Sequence, residues 1–316
     1  MTPGQVVDGV LARRRRAIGR AITMAEASGP DGRAVVRALH PRAGRAMRVG
    51  ITGSPGTGKS TLAAALVRHL RAADRTVAIV SVDPTSPFTR GALLGDRIRL
   101  VDHFLDDGVF IRSMASRGHL GGVAEATDDA VTILDAAGFD VIIVETVGSG
   151  QNEVEVQALT DSVILVLMPG SGDAIQAIKA GVMEIPDVIV INKCDRPGAD
   201  ILAGEVTSAL TLVPSAGWVP PVLLTQALEG QGVSEAWEAV ERHRADLAAT
   251  GRAGDRARDG MRRHLRSLAM ERMARDLDAR TDPARLDALV ARVVAREIDP
   301  SAAVTAILAP APDEEA

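Results

Sequence analysis

The stretch GSPGTGKS, from Gly53 to Ser60, constrains the fold of this chain more than any other feature. It matches the pattern G-x-x-x-x-G-K-[ST], follows the apolar run MRVGIT and opens the helical pattern STLAAALVRHL. In such a setting glycines let backbone N–H groups turn toward phosphate oxygens, and the start of the helix adds its partial positive charge. The sequence therefore predicts a strand, a phosphate-binding loop and a helix in immediate succession.

The parts of this loop have distinct expected tasks. We expect the Lys59 ammonium to reach the terminal phosphates of a nucleotide and the Ser60 hydroxyl to ligate Mg²⁺. The residues predicted to contact the nucleotide here are Gly53, Pro55, Gly56, Thr57, Gly58, Lys59, Ser60 and Thr61. The loop thus predicts a nucleoside triphosphate with Mg²⁺ as the ligand.

Seven short apolar runs follow one another from residue 47 onward, several of them separated by longer helical stretches. Runs that are apolar at nearly every position are typical of parallel strands buried on both faces. They read MRVGIT, TVAIVSV, GVFIRS, DVIIVET, DSVILVLM, DVIVIN and PPVLLTQ. The predicted fold class is α/β, with a doubly wound, mainly parallel sheet.

Helical patterns flank this core on both sides. We predict an N-terminal helical extension at 1–45, with helical periodicity over 8–40, an α/β domain at 46–245 and a C-terminal helical arm at 246–316. In the arm, a strongly charged helical stretch precedes a second helix from Pro283 to Glu297. The chain is therefore expected to carry one large domain with two helical appendages.

Composition argues against several broad classes of protein. With 316 residues, of which 46% are hydrophobic, the chain can bury a large core. A net charge of -5 gives no global basic field, so neither nucleic acid nor a membrane surface is an expected partner. No apolar run is long enough to span a bilayer. Cys194 is the single cysteine, which excludes an internal disulfide and favours a cytoplasmic location.

The tetrapeptide NKCD, from Asn192 to Asp195, follows a buried strand that should end at the same edge of the sheet as the phosphate loop. The Asp195 carboxylate can accept hydrogen bonds from the ring N–H and exocyclic amine of guanine. Adenine offers no such donor pair, so we expect selection of GTP. Lys193 is expected to cover the base with its aliphatic stem and to tie back to the phosphate loop, and Asn192 to fix the loop by side-chain hydrogen bonds.

The specificity of this second motif comes from its position. N-K-x-D is a weak pattern alone, but it is specific when it lies at a strand end roughly 140 residues after a phosphate loop. A further base-contacting loop is predicted in TQALEGQG, where Gln226 and Ala227 are the candidate contacts.

Three acidic residues lie at predicted strand ends or just beyond them, namely Asp83, Asp96 and Glu145. A carboxylate after a strand of the VIIVE type occupies the Walker-B position, which holds Mg²⁺ directly or through water. In this chain that residue is a glutamate, Glu145. The predicted catalytic residues are Lys59, Asp96 and Glu145.

Several long strings together resemble one family, the MeaB/ArgK GTPases, the G-protein chaperones of adenosylcobalamin-dependent acyl-CoA mutases such as methylmalonyl-CoA mutase. The strings are RAIGRAITMAE, GSPGTGKST, SVDPTSPFTRGALLGDRIRL, VFIRSMASRGHLGGVAEAT, ETVGSGQNEVEV and MPGSGDAIQAIKAGVMEIPDVIVINKCD. The resemblance runs in order over about residues 10 to 250. It implies a P-loop GTPase fold similar to the SIMIBI class, with GTP, GDP and Mg²⁺ as ligands.

The resemblance also implies a metal site and a partner. Asp83, Asp96 and Glu145 would surround Mg²⁺ together with Ser60. The chain would hydrolyse GTP while docked on an adenosylcobalamin-dependent acyl-CoA mutase, and would gate the loading and protection of the mutase cofactor. A homodimer formed through the C-terminal arm is expected.

Moving segments are implied in the same way. Loops at 84–96 and 146–157 would respond to the γ-phosphate, and the segment 170–181, which contains Lys179, would carry the nucleotide state to the mutase. Gln151 is displaced relative to the arrangement Asp-x-x-Gly-Gln and is interpreted as structural. Weak intrinsic hydrolysis, raised by a partner, is the corresponding hypothesis.

Two other functions fit the same fold. One is a kinase that phosphorylates a periplasmic amino-acid-binding protein, although no separate acceptor domain is evident in the sequence. The other is a nickel-inserting GTPase, which needs a His-rich or Cys-containing metal store, whereas this chain has six dispersed histidines and one cysteine. Which acyl-CoA mutase would be the partner stays open.

Overall fold

The seven runs predicted as strands form one sheet. The computed structural model describes residues 1–27, 29–83, 105–115, 122–146, 152–170, 186–211 and 217–309. Within these residues the strands are β1 (Met47–Thr52), β2 (Val77–Asp83), β3 (Val109–Ala115), β4 (Val141–Thr146), β5 (Ser162–Leu167), β6 (Val188–Asn192) and β7 (Val222–Thr225). Their order is β3-β2-β4-β1-β5-β6-β7, and every neighbouring pair is parallel, which confirms the predicted fold class.

The strand order places a crevice at the carboxyl edge of the sheet. All positions of β4, β5 and β6 are buried, as expected for parallel strands covered on both faces. From β1 the chain builds one half of the sheet through β2, β3 and β4 and then the other half through β5, β6 and β7. Open α/β sheets bind their ligands where the strand order reverses in this way, and the phosphate loop follows β1 at that point.

Helices cover both faces of this sheet. They are α1 (Pro3–Leu11), α2 (Arg15–Glu26), α3 (Pro30–Leu39), α4 (Lys59–Ala72), α5 (Gly122–Ala136), α6 (Asn152–Leu159), α7 (Ala199–Leu210), α8 (Val233–Ala249), α9 (Arg252–Arg280), α10 (Pro283–Val294) and α11 (Pro300–Leu308). Apolar residues of α1, α2, α3, α5 and α6 share one buried cluster with the sheet, and those of α4 and α8 share a cluster on the other face. A third, smaller cluster lies beneath α7.

The N-terminal extension is helical, as the periodicity over 8–40 indicates, and it forms three separate helices. The chain turns between α1 and α2 at Arg13, whose φ of 53° lies in the left-handed region. Non-glycine residues rarely adopt that conformation, so periodicity alone did not reveal the turn. The Arg13 guanidinium lies 4.3 Å from the centroid of the Phe139 ring. The extension is thereby packed onto the α/β core, with Ile18 and Ile22 fully buried.

Packing divides the chain into two units, Met1–His264 and Leu265–Ala316, and α9 contains the boundary. The first unit includes both the N-terminal helices and the sheet. The predicted division of the chain after residues 45 and 245 stays a prediction. No helix among the described residues has the length and apolar character needed to cross a bilayer.

Within the second unit, α10 and α11 pack together, and each begins at a proline preceded by a capping aspartate. The second helix of the predicted arm, expected to run to Glu297, ends at Val294. The chain turns at Arg296, which has a φ of 60°, and Asp299 caps the additional helix α11. The pair Asp299 and Pro300 is a helix-start signal that is visible in the sequence.

Candidate functional site

The phosphate loop has a backbone that only glycine adopts easily. Gly53, Gly56 and Gly58 have φ values of 138°, 84° and 96°. A Cβ at Gly53 would collide with the carbonyl oxygen of Val166, and one at Gly58 would collide with the side chain of Asn192. Backbone conformation and crowding therefore both require glycine at these two positions, and the loop passes directly against β5 and the end of β6.

Lys59 lies at the first position of α4, with its side chain turned into the loop. Its exposed fraction is 6%, and Nζ donates to the carbonyl oxygens of Gly53, at 2.6 Å, and Ser54, at 3.0 Å. An ammonium buried this deeply needs acceptors, and the loop carbonyls provide them. The arrangement holds one positive charge at the centre of the loop, at the start of a helix, which is the electrostatic setting that a polyphosphate requires.

Ser60 and Glu145 join the phosphate loop to the neighbouring strand β4. The Ser60 hydroxyl donates to Glu145 Oε1 at 2.5 Å, and the exposed fraction of Glu145 is 7%. A hydroxyl and a carboxylate are the oxygen ligands that Mg²⁺ prefers in proteins, so this pair fits the predicted metal. Next to this pair, the Thr146 hydroxyl donates to Thr52 Oγ1 at 3.2 Å, and this hydrogen bond connects the ends of β4 and β1.

The other two predicted metal ligands lie partly or wholly outside the described residues. Only the backbone of Asp83 is described, as the last residue of β2, and Asp96 lies outside the described residues. The segments at 84–96 and 147–151, with Gln151, and at 171–185, with Lys179, also lie outside them. Within the part of the chain that the structure describes, no group of three or more His, Cys, Asp or Glu residues is arranged to hold a metal ion.

Asn192 connects the phosphate loop to the loop after β7. Its side chain is 2% exposed, and Nδ2 donates to the Thr57 carbonyl oxygen at 2.9 Å. Its Oδ1 accepts from Thr225 Oγ1 and from the Ala227 backbone N–H, both at 3.1 Å. One buried amide therefore fixes the relative positions of three chain segments that come from the ends of β1, β6 and β7.

The remaining residues of NKCD line the same edge. Lys193 has a φ of 58°, and its Nζ donates to the Gly56 carbonyl oxygen at 2.7 Å, so its stem runs back to the phosphate loop as expected. Asp195 is exposed, and Gln226 is half-buried with its backbone N–H bonded to Gln231 O. The structure thus brings NKCD and the loop at 226–227 to the edge that carries the phosphate loop.

Thr225 begins the predicted base-contacting stretch TQALEGQG, but its own role in the site was not predicted. It lies directly opposite Asn192 in the β6–β7 pairing, and it is fully buried. Its hydroxyl satisfies half of the acceptor capacity of the Asn192 amide oxygen. A threonine at the end of a strand was visible in the sequence, but its partner depends on the strand register, which the sequence does not give.

A serine, a histidine and an aspartate also meet at the opposite, amino edge of the sheet. Ser162 Oγ lies 2.8 Å from His243 Nδ1, and His243 Nε2 lies 3.2 Å from Asp187 Oδ1. All three are buried, with exposed fractions of 0%, 1% and 5% in that order, so no substrate can reach the hydroxyl. The Arg256 guanidinium donates to both Asp187 oxygens, and this cluster is therefore structural.

Burial sets the protonation of this amino-edge cluster. Burial first, and the nearby Arg256 guanidinium second, lower the pKa of His243 to about 4, so the imidazole is neutral at pH 7. Burial also raises the pKa of Asp187, while Arg256 and a hydrogen bond from Val163 N–H act in the opposite direction. A neutral imidazole that donates from Nε2 to Asp187 and accepts at Nδ1 from Ser162 satisfies every contact.

Comparison with known proteins gives one family. The family model described as methylmalonyl Co-A mutase-associated GTPase MeaB matches residues 18–282. A putative GTPase of Pyrococcus abyssi is 45% identical over 308 residues, which cover 96% of this chain and 95% of the relative. The GTPase ArgK of Escherichia coli is 39% identical over 247 residues, 75% of each chain.

A solved structure gives the same result. The crystal structure of an LAO/AO transport system kinase superposes with a TM-score of 0.73 at 28% identity and covers 96% of each chain. The similarity therefore spans nearly the whole length of the chain and is not restricted to the phosphate loop.

Proposed function

The chain belongs to the MeaB family of methylmalonyl-CoA mutase-associated GTPases, and from this premise we propose that it is a nucleotide-controlled chaperone of an adenosylcobalamin-dependent acyl-CoA mutase. It binds guanine nucleotide and hydrolyses GTP to GDP and phosphate. In the proposed cycle the nucleotide state determines when the mutase receives its cofactor and when the mutase active site is protected. Methylmalonyl-CoA mutase is the first partner to test, because the family takes its description from that enzyme.

The hydrogen bonds of Asn192 carry the nucleotide part of the proposal. They hold the loop that should bind phosphates and the loop that should contact the base in one arrangement. In this arrangement Asp195 is exposed at the same edge and is proposed to accept from the guanine ring N–H and amine. Lys193, Gln226 and Ala227 are proposed to complete the base site.

The proposed metal is Mg²⁺, held by the Ser60 hydroxyl and Glu145, with Asp83 and Asp96 as further candidates. When bound, the ion would neutralise charge on the β- and γ-phosphates. The residues of this chain supply the rest. Lys59 contributes a fixed positive charge within the loop, and α4 directs its N-terminus toward the same place.

A homodimer is part of the proposal. Within the second unit, and in the part of α9 that belongs to it, large apolar side chains are exposed to solvent: Leu265, Met270, Met273, Leu286, Val290, Val294, Val304 and Leu308. Three of them, Leu286, Val290 and Val294, recur every fourth residue of α10 and share one side of that helix, and a contiguous exposed apolar surface is typical of one that binds another protein. A cytoplasmic location is also proposed, because Cys194 is a free thiol and the proposed partner is an enzyme of acyl-CoA metabolism.

Base recognition is tested by Asp195→Asn. The amide presents a donor to the O2 of xanthine and loses the acceptor for the guanine amine, so preference should move from GTP toward xanthosine triphosphate. Calorimetric titration of both nucleotides with the variant and the wild type measures this change. Unchanged GTP affinity in the variant would contradict the assignment.

The chaperone role needs separate experiments. Single-turnover hydrolysis of GTP with and without methylmalonyl-CoA mutase should show slow hydrolysis by the isolated chain and faster hydrolysis in the complex. Rapid hydrolysis by the isolated chain would refute this hypothesis. Transfer of the γ-phosphate to a protein or amino acid, followed with ³²P, would favour a kinase instead.

A further inference from the structure

The loop that follows β7 closes on itself. The Gln226 N–H donates to the Gln231 carbonyl oxygen at 3.1 Å, so the two ends of the loop lie side by side. Helix α8 begins directly after Gly232. We call residues 226–232 the base loop, because they include Gln226 and Ala227, which are proposed to contact the guanine base.

The start of the base loop is joined to the end of β6. The Cys194 N–H donates to the Thr225 carbonyl oxygen at 3.0 Å, which fixes the backbone at the last residue of β7. The Thr225 hydroxyl and the Ala227 N–H both donate to Asn192 Oδ1, each at 3.1 Å. Beyond the end of β7, the position of the base loop relative to NKCD therefore depends on the Asn192 side chain.

The partners of the Asn192 amide determine its orientation. Its Nδ2 donates to the Thr57 carbonyl oxygen at 2.9 Å, and the Ala227 N–H can act as a donor alone, so Oδ1 must face Ala227. The Thr225 hydroxyl must then donate to the second lone pair of Oδ1. Thr225 is fully buried and Asn192 is 2% exposed, so this oxygen depends on protein donors.

The two branches of the Thr225 side chain have different neighbours. Oγ1 faces Asn192, whereas Cγ2 lies 3.1 Å from the position that a Cβ at Gly232 would take, at the other end of the base loop. Rotation about χ1 is restricted in a β-branched side chain, so both contacts are set together. Valine has the same shape without the donor, and serine keeps the donor without the methyl group. The two contributions can therefore be separated by substitution.

From this arrangement we infer that the Thr225 hydroxyl is a positioning group for guanine recognition. By donating to the Asn192 amide oxygen it holds the base loop and NKCD in one relative position, while the Thr225 methyl group contributes packing. Residues that contact a ligand keep their geometry when hydrogen bonds behind them fix their positions. The inference rests on the proposed guanine site, in which both segments contact the same base.

This role separates the base from the phosphates. ADP is expected to use the phosphate loop, but adenine lacks the donor pair that Asp195 is proposed to accept. Loss of the Thr225 hydroxyl should therefore lower the affinity for GDP more than the affinity for ADP. A purely structural contribution of Thr225 would not change the preference between the two nucleotides.

Thr225→Val tests this inference, and Thr225→Ser is its matched counterpart. Thr225→Val should lower GDP affinity about tenfold and ADP affinity less than about twofold, because it removes the donor and keeps the shape. Thr225→Ser should keep GDP affinity within about twofold of the wild type. Each variant loses one buried contact, so both should shift the urea midpoint downward. Calorimetric titration with GDP, and displacement of a fluorescent GDP analogue by ADP, measure the affinities.

Thr160→Val is the control for loss of a buried hydroxyl. The Thr160 hydroxyl is also buried, but it donates to the Val156 carbonyl oxygen of α6 at 2.7 Å. This variant should lower the urea midpoint and leave GDP affinity unchanged. Equal GDP affinity of Thr225→Val and the wild type would overturn the inference. An equal loss in Thr225→Val and Thr225→Ser, or an equal loss of GDP and ADP affinity in Thr225→Val, would also overturn it.

A further variant covers the case in which Thr225→Val does not fold. Thr225→Ala also removes the hydroxyl, and it should show a weaker preference for GDP over ADP than Thr225→Ser does. An equal preference in these two variants would overturn the inference. Failure of the wild type to bind GDP would instead refute the nucleotide site itself.

Discussion

The two edges of the sheet hold buried charged groups in different settings. At the carboxyl edge, Lys59 and Glu145 are more than nine-tenths buried, and Lys59 bonds to loop carbonyls while Glu145 accepts from a hydroxyl. At the amino edge, Asp187 has a full set of protein partners in Arg256, His243 and the Val163 N–H. The first edge places its buried charged groups in and beside the phosphate loop, and the second surrounds a buried carboxylate with donors from distant parts of the chain.

Another aspartate at the amino edge shows the same compensation. Asp135 accepts hydrogen bonds from the backbone N–H groups of Gly44, Arg45 and Ala46 and from the Arg48 side chain. Burial opposes its ionisation, but these hydrogen bonds prevail and lower the pKa of Asp135. The difference between the edges teaches that removing a charged group at the amino edge should mainly affect folding, whereas removing one at the carboxyl edge should mainly affect nucleotide binding.

The largest expected effect is that of Asp187→Ala on stability. Loss of the carboxylate leaves Arg256 and the Val163 N–H without their buried acceptor, which should lower the free energy of unfolding by about 4 kcal/mol. Urea denaturation measures this change, and GDP affinity of the folded protein should stay within about twofold. Asp255→Ala, which removes an exposed partner of Arg258, should leave stability unchanged. A large loss of GDP affinity in Asp187→Ala would contradict the view that charged groups at the amino edge support folding and not nucleotide binding.

Lys59→Ala should give the opposite pattern. The ammonium is expected to bind phosphate oxygens, so GDP and GTP affinity should fall about 100-fold, or about 3 kcal/mol. The melting temperature without nucleotide should change less than the affinity does, because the Lys59 ammonium donates to the carbonyl oxygens of Gly53 and Ser54 in its own loop. Arg68→Ala, an exposed position on the same helix, is the control. A drop in melting temperature without loss of affinity would contradict this prediction.

The pH dependence of stability should report His243. Because its pKa is about 4 in the folded protein and about 6.5 for a histidine in an unfolded chain, the unfolded chain binds a proton first as pH falls. The contribution of His243 to the free energy of unfolding is therefore fully present above about pH 6.5. It decreases as the pH falls and is lost by about pH 4, which lowers the free energy of unfolding by about 3 kcal/mol. The raised pKa of Asp187 acts in the opposite sense.

This dependence is measured as a difference between variants. Urea denaturation of the wild type and of His243→Gln at several pH values between about 4 and 7 isolates the contribution of the histidine. The variant should show a flatter profile, whereas His40→Gln, at an exposed position, should show the wild-type profile. Identical profiles for His243→Gln and the wild type would exclude a buried neutral imidazole.

The smallest predicted effect is that of Thr146→Val at the carboxyl edge. It removes one neutral hydrogen bond to Thr52 while keeping the shape of the side chain, so the free energy of unfolding should fall by about 1 kcal/mol. Thr207→Val removes a hydroxyl that bonds within its own helix on the surface and is the control. A loss in Thr146→Val as large as that in Asp187→Ala would remove the contrast between neutral and ionic contacts.

Local patterns predicted most of the sheet and both nucleotide motifs, because each is contained in a short stretch of chain. Gly53 and Gly58 need their backbone conformation, and an apolar strand such as β5 is buried on both faces. The cluster at Asp187 was not predicted, since Arg256 lies 69 residues away and Ser162 lies 81 residues from His243. Those contacts follow from the order of the strands and the path of α8 and α9, which periodicity does not determine.

Side-chain roles could be predicted only where the motif itself contains both partners. Lys59 and the carbonyl of Gly53 belong to one loop, but the Thr225 partner of Asn192 depends on register. The turns at Arg13 and Arg296 use left-handed backbone at residues that rarely adopt it. The break between α1 and α2 was therefore not predicted, and α10 was predicted too long. The assignments of Asp96 and Lys179 stay predictions.

The strand order has a consequence for synthesis on the ribosome. β1 pairs with β4 and β5, so the strand that leads into Gly53 gains its neighbours only after residue 167 has left the exit tunnel. Asn192, whose side-chain amide donates to the Thr57 carbonyl, is synthesised 135 residues after Thr57. Thr225, which donates to the Asn192 side chain, is synthesised later still. A nascent chain released early would carry the complete glycine-rich stretch and yet could not retain GTP.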